Sequence, residues 1–198
     1  MADILYTYKK QVYANITNRC NCNCRFCIRH HADSVGETDM LWHEKEPTLE
    51  EIKKAIDEFD FTEYDELVYC GYGEPTCALE NLIASAAYVK DRCRVKIRLN
   101  TNGLANRCYG RNVIPDLAQV VDSVSISLNA PTAEKYQSIT RPQYEGAFGD
   151  MLAFATMVKE AGIDVKFSVV DILTEEEIKE CRALAEKMGI TLRVREYA

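Results

Sequence analysis

No stretch of this 198-residue chain is apolar over the length of a membrane span, which argues against a transmembrane helix. The N-terminus reads Met1-Ala2-Asp3-Ile4-Leu5-Tyr6 and lacks the basic segment followed by an apolar one that marks a secretory leader. Positive charge is in deficit: 24 Lys and Arg stand against 31 Asp and Glu, a net charge of −7. Generic attraction to nucleic acid phosphates is therefore not expected. Internal repeats, low-complexity tracts and clear linkers are lacking too, so one domain over residues 1–198 is expected. A second Cys-x-x-Cys pair is missing, and with it the usual two-pair ligand set of structural zinc.

Cysteine itself is abundant. The count is nine, an odd number, and four of the nine crowd residues 20–27. That usage suits a reducing compartment better than a disulfide framework, so a cytoplasmic location is expected. The loop reads Cys20-Asn21-Cys22-Asn23-Cys24-Arg25-Phe26-Cys27 and follows a strand-like run at 12–17. Cys20, Cys24 and Cys27 form C-x3-C-x2-C. Three thiolates suffice to hold three irons of a four-iron cluster and leave the fourth iron open to a small molecule. Cys22 is either a fourth ligand or a bystander. Placing all four thiols on one cluster demands a tightly folded loop, which favours the bystander. Cys70, Cys77, Cys93, Cys108 and Cys181 are scattered singly.

The chain alternates short strands with helices. Strands are expected at 12–17, 66–71, 95–100, 123–129, 165–171 and 191–197. Thr48 with Glu51, and Thr174 with Glu177, read as capping boxes that open helices, and Gly189 closes the last one. Further helices are expected at 79–92, 114–120, 132–139 and 148–161. Such alternation predicts a parallel sheet with right-handed crossovers. Six units are too few for a closed eight-fold barrel and suit an open partial (β/α)6 barrel with a parallel six-stranded sheet. The longest irregular segment, 30–47, is expected to lie over one face as a loop or lid.

Several of these strands have one polar face. Lys96, Arg98 and Asn100 alternate with Val95, Ile97 and Leu99; Ser123, Ser125, Ser127 and Asn129 alternate with Val124, Ile126 and Leu128; Arg193 and Arg195 alternate with Leu192 and Val194. With helices covering the outside, the polar faces would line a wet interior rather than a packed barrel core. Ligands of parallel α/β folds gather at the carboxyl ends of the strands, and several of these ends are small or polar.

With these residues in view, the chain resembles the radical S-adenosylmethionine (radical SAM) superfamily over nearly its whole length. The cysteine loop has an aromatic residue, Phe26, before its last cysteine. Gly71-Tyr72-Gly73-Glu74-Pro75 resembles the superfamily's Gly-Gly-Glu-Pro motif, with Tyr72 in place of a glycine. Leu99-Asn100-Thr101-Asn102-Gly103 and Ser125-Ile126-Ser127-Leu128-Asn129 are similar to its third and fourth strand ends. Ile16-Thr17-Asn18-Arg19-Cys20, Phe26-Cys27-Ile28-Arg29 and Leu41-Trp42-His43-Glu44-Lys45-Glu46-Pro47 resemble a subgroup associated with TatD-family hydrolases.

The resemblance implies a [4Fe-4S] cluster on Cys20, Cys24 and Cys27, with S-adenosyl-L-methionine (SAM) bound to its open iron. It implies reductive cleavage of SAM to methionine and a 5′-deoxyadenosyl radical, which takes a hydrogen atom from a substrate. Gly73 and Glu74 would approach the SAM amino group. Asn100, Thr101 and Asn102 would meet ribose or carboxylate, Ser127 and Asn129 would contact SAM, and Phe26 and Ile28 would lie near adenine. Expected partners are a reductant such as flavodoxin or ferredoxin and a peptide or protein substrate able to close an open sheet. Lys96, Arg98, Arg141, Arg193 and Arg195 are candidates for an anion-binding patch. His30, His31 and His43 read as solvated. Because the chain stops soon after the sixth strand, no second cluster is expected. A non-catalytic iron–sulfur module for electron transfer or sensing is the alternative, and a zinc-stabilised interaction domain the third reading.

Overall fold

The computed structural model describes residues 2–35, 38 and 40–197. Part of the 30–47 segment, namely Gly36, Glu37 and Asp39, lies outside the described residues. Among these residues seven strands form one sheet in chain order: β1 (Leu5–Tyr8), β2 (Gln11–Ala14), β3 (Glu66–Tyr69), β4 (Lys96–Thr101), β5 (Ser123–Ser127), β6 (Asp164–Val170) and β7 (Thr191–Arg195). All neighbours from β2 to β7 pair in parallel, and the sheet stays open, as expected. The count of six is corrected to seven by β1, which pairs antiparallel with β2. Lys9 and Lys10 make the two-residue turn of this hairpin with φ of 45° and 60°. That is the left-handed geometry of a tight hairpin turn, usually filled by Asn and Gly, so two lysines conceal it in the sequence.

Among the described residues seven α-helices accompany the sheet: α1 (Leu49–Glu58), α2 (Leu79–Arg92), α3 (Ala105–Tyr109), α4 (Ile114–Leu117), α5 (Ala133–Thr140), α6 (Ala147–Glu160) and α7 (Glu175–Met188). Both expected capping boxes form, Thr48 with Glu51 and Thr174 with Glu177, and Gly189 ends α7 in the left-handed conformation. None of these helices is long and apolar enough to cross a membrane.

Strand alternation decides where the core sits. Val12, Leu67, Ile97, Leu99, Val124, Ile126, Phe167 and Val169 are fully buried in one cluster with the apolar sides of the helices. Because side chains alternate along a strand, the intervening residues face the sheet's other, concave side. These are Gln11 and Tyr13, Cys70, Arg98 and Asn100, Ser123, Ser125 and Ser127, Lys166 and Ser168, and Arg193 and Arg195. A second small cluster, Tyr6, Leu41 and Tyr72 with Tyr13, Ile28 and Trp42 against it, lies at the β1–β2 side of that concave face. The 30–47 segment enters it through Leu41, Trp42 and Val35.

Candidate functional site

The chain leaves β2 through Asn15, Ile16 and Thr17, all buried, and turns into the cysteine loop. Asn15 fixes the exit. Its Nδ2 donates to the Leu41 carbonyl at 2.7 Å, and its Oδ1 accepts the Tyr72 amide at 3.2 Å. Gly71 is required here, since a Cβ would sit 2.8 Å from the Asn15 Cα. Glu46 holds the next turn: its carboxylate accepts the Thr17 hydroxyl and, at 2.8 Å, the Asn18 amide. Asn18 and His43 exchange two further hydrogen bonds, Nδ2 to carbonyl at 2.7 Å and amide to Oδ1 at 3.1 Å. His43 is not solvated, as its sequence context had suggested. It is buried with Nε2 at 2.8 Å from the Asn15 carbonyl, an oxygen that only accepts, so Nε2 carries the proton. His30 and His31 are exposed.

The loop is held from the other side by the carboxyl end of α5. Such an end leaves carbonyls without helical partners. Asn23 donates its amide to the carbonyls of Thr140 and Arg141, both at 3.1 Å, and Arg25 donates to Ile139 at 2.8 Å. Cys22 bridges to Pro142. The four thiols are unequal. Cys20, Cys24 and Cys27 are half-buried and free, whereas Cys22 is only 6% exposed and packs into the main core. Burial pushes the Cys20 thiol up to about 12 and raises that of Cys27. A hydrogen bond between Cys22 and Cys24 raises the former and lowers the latter, so Cys24 ionises first.

The glycine-rich turn after β3 meets the loop at Gly73. A Cβ there would lie 2.6 Å from the Arg19 carbonyl oxygen, and the Glu74 amide donates to that same oxygen at 2.8 Å. Tyr72, where a glycine was expected, keeps a normal backbone. Its ring meets Trp42 edge-on at 5.1 Å and its hydroxyl donates to the Ala32 carbonyl, so it anchors the 30–47 segment. The Tyr72 carbonyl accepts Arg29 at 3.2 Å, and the same guanidinium nitrogen donates to Asn18.

Glu74 is buried, at 5% exposure. Its Oε1 accepts the hydroxyls of Thr76 and Thr101, both at 2.7 Å, and the Thr76 amide; its Oε2 accepts the Asn102 amide at 2.8 Å. Burial raises its pKa, and these donors pull it back down. Asn102 in turn donates through Nδ2 to Asn21 and accepts the Leu104 amide on Oδ1. The side-chain polar atoms of Glu74, Thr101 and Asn102 are thus engaged with one another and with the cysteine loop.

Other atoms at the strand ends and in the cysteine loop have no partner. Asn100 Oδ1, Asn129 Oδ1 and Asn21 Nδ2 are buried without a hydrogen bond among the described residues. Asn129 follows β5 in a left-handed conformation, φ 58°, and is 5% exposed. An isolated buried amide oxygen is costly, so these groups fit a polar ligand seated among them. Ser127 is half-buried opposite Ser168, Phe26 is half-buried, and Ile28 packs against the Tyr6–Leu41–Tyr72 cluster. Of the five basic residues, Arg98 is buried, whereas Lys96 on the same face of β4, Arg193 and Arg195 on β7, and Arg141, whose carbonyl meets the cysteine loop, are exposed.

Comparison with known proteins decides the family. A model of the radical SAM superfamily matches residues 14–188. The chain belongs to the radical SAM superfamily. As a radical SAM protein it is an enzyme whose cofactors are SAM and an iron–sulfur cluster. The curated GTP 3′,8-cyclase of Brucella canis is 26% identical over 182 residues, 89% of this chain and 49% of that protein. The enzyme of the same name from Brucella ovis is 27% identical over 186 residues, 90% and 50% of the two chains. The chain therefore spans about half the length of these relatives. Among solved structures, Streptococcus suis SuiB bound to precursor peptide SuiA superposes with a TM-score of 0.67 at 16% identity, covering 92% of this chain and 38% of that one. The anSMEcpe structure with bound AdoMet gives 0.62 at 17% identity, covering 94% and 50%. The last two likenesses establish the fold. The radical SAM donor set is soft and consists of thiols, as an iron–sulfur cluster needs. No three His, Cys, Asp or Glu side chains among the described residues converge as ligands of one metal ion.

Asn15, Asn21, Arg29, His43 and Glu46 were not singled out as framework from the sequence. Each acts through partners distant in the chain. Only the polar character of a strand exit hinted at Asn15.

Proposed function

We propose that this chain cleaves SAM reductively at a [4Fe-4S] cluster and directs the resulting hydrogen abstraction at a peptide or protein substrate. When bound, the cluster supplies the electron and SAM supplies the 5′-deoxyadenosyl radical. The observation that carries this reading is the arrangement of Cys20, Cys24 and Cys27, half-buried where Cys22 is buried, beside strand ends that hold unpartnered amides. Cys20, Cys24 and Cys27 hold iron. Gly73 lets the backbone of the glycine turn approach the amino group of SAM without a side chain in the way. Asn100, Ser127 and Asn129 offer hydrogen-bonding groups to ribose and carboxylate, and Phe26 and Ile28 flank adenine. Glu74, Thr101 and Asn102 belong to the site as positioning residues, tying the glycine turn to the end of β4 and to the cysteine loop.

The peptide class is supported by a structural neighbour bound to a precursor peptide and by the open sheet. The electron donor is a flavodoxin or ferredoxin, and three motifs on the 16–47 segment support the TatD-associated subgroup. The working compartment is the cytoplasm, which keeps the nine thiols reduced. Anaerobic reconstitution followed by iron and sulfide analysis, then SAM titration of the reduced protein by electron paramagnetic resonance, tests the proposal. About four irons per chain and a SAM-dependent change of the cluster signal are expected. An unchanged signal would favour an electron-transfer module.

A further inference from the structure

The concave face of the sheet carries a concentration of positive charge that runs against the acidic balance of the chain. Arg98 of β4, Lys166 of β6, and Arg193 and Arg195 of β7 all lie on the residues that alternate with core positions. Register puts Lys166 beside Ser125, Arg193 beside Ser168, and Arg98 beside Ser123, so hydroxyls are interleaved with the cations. The curvature brings β7 back toward the first strands: Lys9 of the β1–β2 turn pairs with Glu196 at 3.8 Å.

Among the described residues, Glu66 forms an ion pair with Arg98, while Lys166, Arg193 and Arg195 form none. Glu66 accepts from Arg98 Nη2 at 3.2 Å, and Gln11 accepts from the same nitrogen at 3.2 Å. Arg98 is 6% exposed, and its Nε is buried without a partner. Asp164 lies at the open start of β6, next to Lys166 along the strand face. Partial burial, with Arg98 and Arg193 nearby, lowers the Lys166 pKa, and Arg193 and Arg195 stay exposed on the edge strand. Like charges gathered on one face repel, and a fold keeps such an arrangement when a ligand relieves it. Tyr13 of β2, whose hydroxyl is influenced by Arg98 and Arg193, adds an aromatic wall.

We propose that Arg98, Lys166, Arg193 and Arg195 form an anion-binding subsite in the concave face, which takes a carboxylate or phosphate group of the substrate. Its assignment to a substrate rests on the radical SAM reading; the subsite itself is a property of the sheet. Guanidinium groups suit both anions, because their paired donors match two oxygens at once. The subsite lies on the same concave face as the unpartnered Asn100, so an anchored substrate would share that face with SAM.

The test titrates the full-length protein with inorganic pyrophosphate and with glutarate at constant ionic strength, by calorimetry. Saturable binding of at least one is expected; preference for pyrophosphate assigns a phosphate group, preference for glutarate a carboxylate. Arg193→Gln and Arg195→Gln, on an edge strand where folding is least at risk, are each expected to weaken binding about tenfold, about 1.4 kcal/mol. Lys179→Gln, on the exposed side of α7, is expected to leave binding unchanged. Absence of saturable binding, or binding that the two arginine variants do not weaken, would overturn the subsite. A protein that makes 5′-deoxyadenosine but binds neither anion overturns this inference alone. One that binds them through these arginines without cleaving SAM upholds it and overturns the radical SAM reading.

Discussion

The carboxylate of Glu74 accepts the backbone amide of Asn102 at 2.8 Å, across 28 residues of chain and between the ends of two neighbouring strands. Through its other oxygen Glu74 also holds Thr76 and Thr101, so one side chain joins the glycine turn to the end of β4. Glu74→Ala leaves these buried donors unpaired and is expected to cost about 3 kcal/mol of stability. Glu74→Gln keeps the shape but turns two acceptor oxygens into one, and is expected to cost less. Urea denaturation of the two variants checks the order; equal stabilities of wild type and Glu74→Ala would contradict the clamp.

Gly73 is a site where size alone matters. Its missing Cβ leaves room for the carbonyls of Thr17 and Arg19 at the entrance to the cysteine loop. Gly73→Ala is expected to displace that entrance, lowering iron content after reconstitution while leaving most helical structure intact. Iron analysis beside far-ultraviolet circular dichroism separates loss of the site from loss of the fold.

The cysteines should divide into two groups. Cys20→Ala, Cys24→Ala and Cys27→Ala are each expected to abolish stable iron binding. Cys22→Ala removes a buried thiol from the core and is expected to cost about 1 kcal/mol while iron is retained. A Cys22→Ala protein that folds but holds no iron would assign Cys22 as a ligand.

Glu46 gives the site a pH dependence with a definite sign. Burial alone would raise its pKa, but the Thr17 hydroxyl, the Asn18 amide and Arg19 together lower it. A lowered folded-state pKa means that the stabilisation is present above the unfolded carboxyl range and is lost as pH falls through the folded value. Thermal melts of Glu46→Gln and wild type should therefore diverge near neutral pH and converge in acid. Curves that stay parallel down to about pH 2 would contradict this role.

Much of this architecture is readable in the chain because its signals are local. Thr48 with Glu51 and Thr174 with Glu177 fall three residues apart, and the alternation of Val124, Ile126 and Leu128 with serines needs only the strand period. What escapes is long-range or disguised. The hairpin of β1 and β2 turns on Lys9 and Lys10, residues that pay a conformational cost in a left-handed turn. His43 sits in a polar segment of the chain yet is buried, because its partners Asn15 and Asn18 come from the β2 exit. Glu74 reads as part of a ligand-facing turn; its carboxylate faces Thr101 and Asn102, which only the β3–β4 pairing brings near. Lys166, on a strand whose alternation is less plain, joins the basic residues of the sheet's polar face only through its register with Ser125 and with β7.

The most direct measurement is 5′-deoxyadenosine produced by the anaerobically reconstituted, reduced protein supplied with SAM. The account predicts its formation by wild type and its absence from Cys24→Ala. A wild-type protein with a full complement of iron and sulfide, reduced and supplied with SAM, that forms none would contradict it.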